Sequence, residues 1–152
     1  MSVAEKVRLQ AREADDLAII SALVQDAAIR VADLGFDRAA RRFALMMNRF
    51  RWEREARPKG LFRRRVPERV RSVLRFDHVD KAAVQGIDLA AGDHVLELLS
   101  LQLDQRGEDG ADLLLVFAGG GMIRLELECV EAVLEDLTGA WPAKRRPSHP
   151  ET

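Results

Sequence analysis

The chain has 152 residues, of which 47% are hydrophobic and 32% are charged. This size and composition suit one soluble globular domain. The single cysteine excludes an intrachain disulfide framework, and no apolar run reaches the roughly 18 residues of a membrane-spanning helix. The formal net charge of −1 conceals an asymmetry: residues 49–75 hold eleven Lys and Arg against three Asp and Glu, and the remainder is acidic. Because the N-terminus also lacks a signal or transit pattern, we expect a cytoplasmic protein.

The first predicted element is a helix over residues 13–27, after an N-terminal extension of residues 1–12. Asp15 and Asp16 stand where they can cap its start, and apolar residues recur behind them at helical spacing. From Ile29 the apolar period changes to two. This change predicts a strand in IRVADLGF, a turn in DRAA and a returning strand in RRFALMMNRFRWE.

The apolar residues of the returning strand do not all fall on the same face. Phe50 and Trp52 have the opposite parity to the apolar residues that precede them in the strand. Burying both sets in one core therefore requires a bulge or a strand end near Asn48–Arg49.

Residues 54–68 form a predicted loop with two prolines, a glycine and no apolar period. Strand alternation returns in VRSVLRFDHV, where one face is apolar apart from Ser72 and the other carries Arg69, Arg71 and Arg75. Further on, HVLELLSLQLD predicts a strand, QRGEDGA a hairpin loop and LLLVFA a second strand. The residues expected to alternate on one face of the first of these are Val95, Leu99, Leu101 and Leu103. Because LLLVFA is apolar at every position, both of its faces are expected to be covered.

Three consecutive glycines, Gly119–Gly121, follow that strand and could suggest a phosphate-binding loop. Such a loop needs its glycines at a helix N-terminus, and it needs a Walker or dinucleotide spacing. Here they precede MIRLELE, which alternates as a strand. We therefore predict a hairpin turn that uses the positive φ angles open to glycine.

The last predicted element is an amphipathic helix that begins near Cys129 and ends at Gly139, with a disordered tail over residues 142–152. The whole order predicts an α+β domain over residues 13–141, mainly antiparallel, with about seven strands in a bent meander or partly open barrel. This order resembles the pleckstrin-homology-like barrel, whose C-terminal helix closes one end. A sandwich with both helices on one face is the alternative.

Three segments resemble an uncharacterised bacterial family, domain of unknown function 2948: DLAIISALVQDAAIRVADL, RRFALMMNRFRWE and FAGGGMIRLELECVEAVLEDL. With the strands between them, they cover most of residues 15–141. The resemblance implies no activity, so any function has to be argued from the residues.

Candidate catalytic residues are few. Cys129 is expected to be a core residue rather than a nucleophile, because nothing in the spacing brings His78 or His94 near it. Without a short-range ligand pair, these residues and His149 predict no metal site. The carboxylate pairs occupy a helix cap, a strand face and a helix face (Asp15–Asp16, Glu126–Glu128, Glu135–Asp136), where no apolar setting raises a pKa. We expect no cofactor.

The basic segment 49–75 is the one feature that suggests binding, because arginines bind phosphates and carboxylates and aromatic residues lie among them. The predicted binding residues are Arg51, Arg54, Arg57, Lys59, Phe62, Arg63, Arg64 and Arg65. We expect a non-enzymatic interaction or adaptor domain with an acidic protein partner or a homodimer mate. The alternatives are binding of single-stranded nucleic acid through residues 49–75, and an enzyme whose site leaves no trace in the sequence. Integration into a membrane is not expected.

Overall fold

The structure, a computed structural model, describes residues 6–51 and 68–137 and the backbone of residues 141–142. Within these ranges there are one α-helix and eleven β-strands. The helix α1 spans Ala14–Leu23. The strands are β1 (Arg8–Ala11), β2 (Ala28–Arg30), β3 (Leu34–Asp37), β4 (Arg42–Phe50), β5 (Glu68–Phe76), β6 (Val79–Gln85), β7 (Val95–Arg106), β8 (Gly110–Phe117), β9 (Met122–Leu127), β10 (Ala132–Asp136) and β11 (Trp141–Pro142).

The strands pair antiparallel in the order β1-β10-β5-β4-β2-β7-β8-β9-β6, while β3 also pairs with β4 and β11 with β5. We call β1, β10, β5 and β4 the first half-sheet, and β7, β8, β9 and β6 the second. The short strand β2 is hydrogen-bonded to β4 and to β7 and so joins them. Buried side chains of both half-sheets form one hydrophobic core. This confirms the prediction of a mainly antiparallel sheet, although the described strands are more numerous than the seven expected.

The N-terminal helix is confirmed. Leu17 and Ile20 of α1 are buried. Asp15 and Asp16 lie in its first turn, where their negative charges interact favourably with the positive end of the helix dipole. Neither aspartate is the N-cap, which is Glu13. The helix ends earlier than residue 27 because the chain turns into β2.

Strand β4 keeps one parity up to its end at Phe50, so no bulge turns Phe50 inward and the expected burial of Phe50 with Phe43 is wrong; Trp52 lies outside the described residues. The pairing of β4 with β5 runs without a shift from Phe43 to Phe50. The face that begins with Phe43 and is buried therefore continues into Arg49 and Arg51, whereas Phe50 lies on the opposite face. The hydrogen-bond ladder between β4 and β5 stays regular, and as a result Arg49 and Arg51 are buried and the ring of Phe50 lies on the outer face.

Strand β7 does contain an irregularity, between Leu98 and Ser100. Leu96 and Leu98 face the core before it and Leu101 after it, while Val95 and Leu99 are exposed. The expected alternation is therefore wrong in the first half of the strand, because the extra residue of a bulge reverses the parity.

The glycine-rich segment forms the predicted turn, a short 3-10 turn between β8 and β9. Gly119 and Gly120 have φ angles of 88° and 101°, which residues with a Cβ rarely adopt. Gly121 is required for a different reason, since a Cβ at this position would lie 2.8 Å from Cγ1 of Ile87.

The predicted C-terminal helix is wrong, because residues 132–136 form strand β10 between β1 and β5. Val133 and Leu134 fitted a helical stripe, but both are buried on opposite faces of this strand. Pairing on both edges satisfies the backbone of β10 and outweighs the weak local helical pattern. The helix that closes a pleckstrin-homology-like barrel is therefore not formed by these residues.

Candidate interaction surface

The structure describes five arginines of the basic segment, and it divides them between two faces. Arg49 and Arg51 follow the inner parity of β4 and are 0% and 1% exposed. Arg69, Arg71 and Arg75 lie on the opposite face of β5 and are partly exposed. Part of the positive charge that the sequence concentrates in residues 49–75 is thus inside the protein.

Arg49 belongs to a buried polar network that joins three strands. Its Nε lies 3.2 Å from Oδ1 of Asp136, and its Nη2 lies 3.0 Å from Oδ2 of the same residue. Ser72 donates to Asp136 Oδ1 at 2.6 Å, and the backbone N–H of Val7 donates to Oδ2 at 2.8 Å. Because this carboxylate neutralises the buried guanidinium, Arg49 has a structural role.

The pairing of Asp136 with Arg49 and Ser72 was not predicted from the sequence. Asp136 was expected on a solvated helix face, which is wrong, since it is 4% exposed in β10. A signal did exist: Ser72 stands among apolar residues on the inner parity of β5, so it required a polar partner inside.

Arg51, the first of the predicted binding residues, lies inside the protein. Its backbone N–H donates to the carbonyl of Glu68 at 2.9 Å, and its Nη1 lies 3.9 Å from Oε1 of the same residue. The other predicted binding residues lie outside the described residues (Arg54, Arg57, Lys59, Phe62, Arg63, Arg64 and Arg65). They stay predictions.

The outer face of β4 and β5 carries the described arginines of the basic segment that are accessible to solvent, and we call it the arginine face. The guanidinium carbon of Arg69 lies 4.6 Å from the ring centroid of Phe50, a cation–π distance. Burial lowers the pKa of Arg69 from its ordinary value. Its Nε is buried and has no hydrogen-bond partner among the described residues. An anion that binds this partly buried guanidinium forms charge-assisted hydrogen bonds with it and so stabilises its charge.

Arg71 and Arg75 continue this face. Arg71 lies opposite Asn48 of β4 and, within residues 6–51 and 68–137, makes no ion pair. The Nε of Arg75 is 3.4 Å from Oδ2 of Asp77. Arg69 and Arg71 are therefore two cations on one strand face that the described part of the chain leaves without a carboxylate.

A shallow depression lies beside Val73, which stands between Arg71 and Arg75 in β5. No arginine lines it, and its lining includes the acidic Asp33 as well as apolar residues. Ala44, Met46 and Val73 line it on β4 and β5, and Leu34 and Gly35 line it from β3. Its volume is about 290 Å³. The arginine face thus combines positive charge with a mainly apolar recess beside it that could receive a side chain.

Among the described residues, the other titratable groups do not assemble a comparable site. Burial, followed by the nearby Glu128, Glu131 and Asp109, raises the pKa of the Cys129 thiol, so the thiolate is disfavoured. His78 lies with its Nε2 3.0 Å from Glu131 Oε1. Nowhere in the described ranges do three or more His, Cys, Asp or Glu residues come together in a way that could hold a metal ion.

The comparisons identify the family of this chain but no activity. The family model described as "Protein of unknown function (DUF2948)" matches residues 7–149, so the chain belongs to that family, as its resemblance predicted. No match was found among curated proteins or among solved structures. In the described part of the chain, no helix has both the length and the apolar character needed to cross a membrane.

Proposed function

We propose that this protein is a non-enzymatic interaction domain that binds an acidic protein partner on the arginine face. The observation that carries the proposal is the pair Arg69 and Arg71, which lie two residues apart on one face of β5. Neither has a carboxylate partner among the described residues. Arginine is enriched in protein interfaces, where its planar guanidinium pairs with carboxylates in a fixed geometry.

The apolar surroundings support a protein partner rather than a nucleic acid. Val73 stands between Arg71 and Arg75 in β5 and lies opposite Met46 of β4, and methionine and arginine together are typical of interface cores. Binding of single-stranded nucleic acid uses aromatic rings on which bases stack. The ring of Phe50 already carries the guanidinium of Arg69 on its face, so it offers no open stacking surface on that side.

The test compares two labelled probes in fluorescence anisotropy: a Glu-rich peptide with one Leu, and a single-stranded RNA of mixed sequence. Both are titrated with the full chain at several salt concentrations. We expect the peptide to bind and Arg69→Ala/Arg71→Ala to weaken its binding by about thirtyfold, the factor that corresponds to the loss of two charge-assisted contacts of about 1 kcal/mol each.

The matched control is Arg12→Ala/Arg38→Ala. It removes the same charge from two other exposed arginines whose side chains form no ion pair among residues 6–51 and 68–137; the backbone N–H of Arg12, which donates to Asp16 Oδ2, is kept in the alanine variant. This control should bind the peptide like the wild type. RNA binding that Arg69→Ala/Arg71→Ala loses, without peptide binding, would make nucleic acid the ligand. If neither the peptide nor the RNA binds at low salt, both functions are refuted.

A further inference from the structure

The turn that joins β7 to β8 carries two adjacent acids, Glu108 and Asp109. We call this turn, residues 107–109, the hairpin tip. Every residue from 104 to 109 is exposed, so both carboxylates face solvent. Neither of them forms an ion pair among residues 6–51 and 68–137. The hairpin tip therefore presents two carboxylates that can pair with cations from outside.

The base of the hairpin tip is held in a fixed geometry. Arg106 of β7 lies directly opposite Gly110 of β8. The Nε of Arg106 donates to Asp112 Oδ1 at 2.9 Å, and its Nη2 donates to the carbonyl of Ala111 at 3.2 Å. Because Arg106 is paired at the base, it does not neutralise the acids of the tip. A turn that is already ordered also loses little conformational entropy when it binds.

The surroundings of the hairpin tip are negative. A recess of about 230 Å³ beside the tip is lined by four charged residues: Arg12, Glu13, Glu108 and Asp109. Three of these carry a negative charge and one carries a positive charge. A cation that approaches the tip is therefore attracted by the recess as a whole.

The arginine face has the opposite charge. Arg69 and Arg71 have no carboxylate partner among the described residues, and they stand roughly 7 Å apart along one face of β5. An exposed acid of the second half-sheet, Glu97, lies in register with Asn48 across Ala28. It is three strands from Arg71, about 14 Å, which is too far for an ion pair. A turn with two adjacent acids can instead reach both guanidinium groups.

From these observations we infer that the acidic partner of the arginine face is a second copy of this chain, which docks its hairpin tip on Arg69 and Arg71. The tip and the face lie on different half-sheets, and no ion pair joins them within one copy among the described residues. The formal net charge of the chain is only −1, so repulsion between copies is weak.

The contact is head-to-tail, because it joins two different surfaces of the molecule. Each copy keeps one free tip or one free face, so further copies can add. The inference rests on the proposed function, since it names the acidic partner that the proposed function requires.

Sedimentation velocity on the full chain over the micromolar range measures this self-association. We expect the wild type to form dimers and larger species at low salt and fewer of them as salt is added. Glu108→Gln/Asp109→Asn removes the charges of the tip with little change of shape. It should raise the Kd of self-association by about thirtyfold, the factor expected for two charge-assisted contacts.

The matched control is Asp88→Asn/Asp93→Asn. It removes the same charge from two exposed acids in the loop between β6 and β7. Asparagine keeps the Oδ1 of residue 88, which accepts from the N–H of Ala90. This control should associate like the wild type.

A mixture of two variants tests which surfaces meet. Arg69→Ala/Arg71→Ala keeps the tip and loses the face, whereas Glu108→Gln/Asp109→Asn keeps the face and loses the tip. Neither should associate alone, but together they should form a 1:1 dimer that grows no further, since one tip and one face remain. Circular dichroism checks the fold of each variant, and Arg71→Ala replaces the double arginine variant if that one does not fold.

Three results would overturn the inference: a wild type that is monomeric at low salt, a tip variant that associates like the wild type, or a mixture without a dimer. The tip variant also separates the inference from the proposed function, because its arginine face is intact. If the wild type is monomeric and the tip variant binds the Glu-rich peptide, the inference alone fails. If that variant does not bind the peptide, the proposed function fails too.

Discussion

The outer faces of the two half-sheets both carry arginines, but the arginines are held differently. On the second half-sheet, Arg106 and Arg124 both pair with Asp112. The hydrogen bond that Arg124 donates lowers the pKa of the Asp112 carboxyl and raises the pKa of Arg124. On the first half-sheet Arg69 rests on an aromatic ring, and burial lowers its pKa. One face is neutralised within the chain, whereas the other carries Arg69 and Arg71 without a carboxylate partner among the described residues.

The difference shows that an arginine on the polar parity of a strand is not in itself a binding residue. The segments ERVRSVLRF and MIRLEL both alternate apolar and charged side chains. What separates them is the residue on the neighbouring strand: Asp112 lies one strand away from Arg124, while Asn48 lies opposite Arg71. An aspartate satisfies the guanidinium, and an asparagine leaves its charge unbalanced.

The largest effect is expected inside the first half-sheet, where the arginine is paired and buried. Asp136→Ala should lower the free energy of unfolding by about 3–5 kcal/mol, because it leaves the buried guanidinium of Arg49 without its carboxylate. Urea unfolding followed by circular dichroism measures this loss.

The control for that change is Glu135→Ala, whose side chain is partly exposed and lies 4.0 Å from the exposed Arg8. It should cost less than about 1 kcal/mol, as surface ion pairs do. The double variant Arg49→Met/Asp136→Leu should be more stable than Asp136→Ala, since it removes both charges. Equal losses for Asp136→Ala and Glu135→Ala would contradict the structural role of the buried pair.

An intermediate effect is expected when the first half-sheet is made to resemble the second. Asn48→Asp places a carboxylate opposite Arg71, so it should compete with an acidic ligand. We expect affinity for the Glu-rich peptide to fall by about fivefold, the factor that corresponds to about 1 kcal/mol.

Gln102→Asp adds the same charge on the outer face of β7 and should leave the affinity unchanged, because it is remote from the arginine face. Anisotropy at low salt, where screening is weakest, is the appropriate measurement. An equal loss in both variants would show that only net charge matters and that Arg71 is not a contact.

The smallest effect concerns acid stability on the second half-sheet. The pKa of Asp112 in the folded protein is below that of an aspartate in the unfolded chain, chiefly because Arg124 donates a hydrogen bond to it. The ion pairs therefore contribute stability that is complete above the unfolded pKa and disappears as the pH falls through the folded pKa. Thermal melts of wild type and Asp112→Asn should differ at neutral pH and converge in strong acid. A difference that persists below the folded pKa would mean that Asp112 stabilises by packing and not by charge.

The sequence by itself determined the parts of the fold that depend on local chemistry. The period of two predicts most strands, the glycines with positive φ predict the hairpin turn, and the apolar stripe predicts α1. It also indicated which residues of β5 face inward, including Ser72, because a strand with one buried face has a single admissible parity.

Only the tertiary structure decided what the pattern left ambiguous. Residues 132–136 have a helical spacing, yet they form β10, because two neighbouring strands supply hydrogen-bond partners for both edges. Arg49 is buried because Asp136, 87 residues away, lies beside it across β5. Arg69 and Arg71 stay available because no described carboxylate reaches them. Contacts between residues distant in the chain determine which charges are neutralised, and a local pattern of residues carries no information about those contacts.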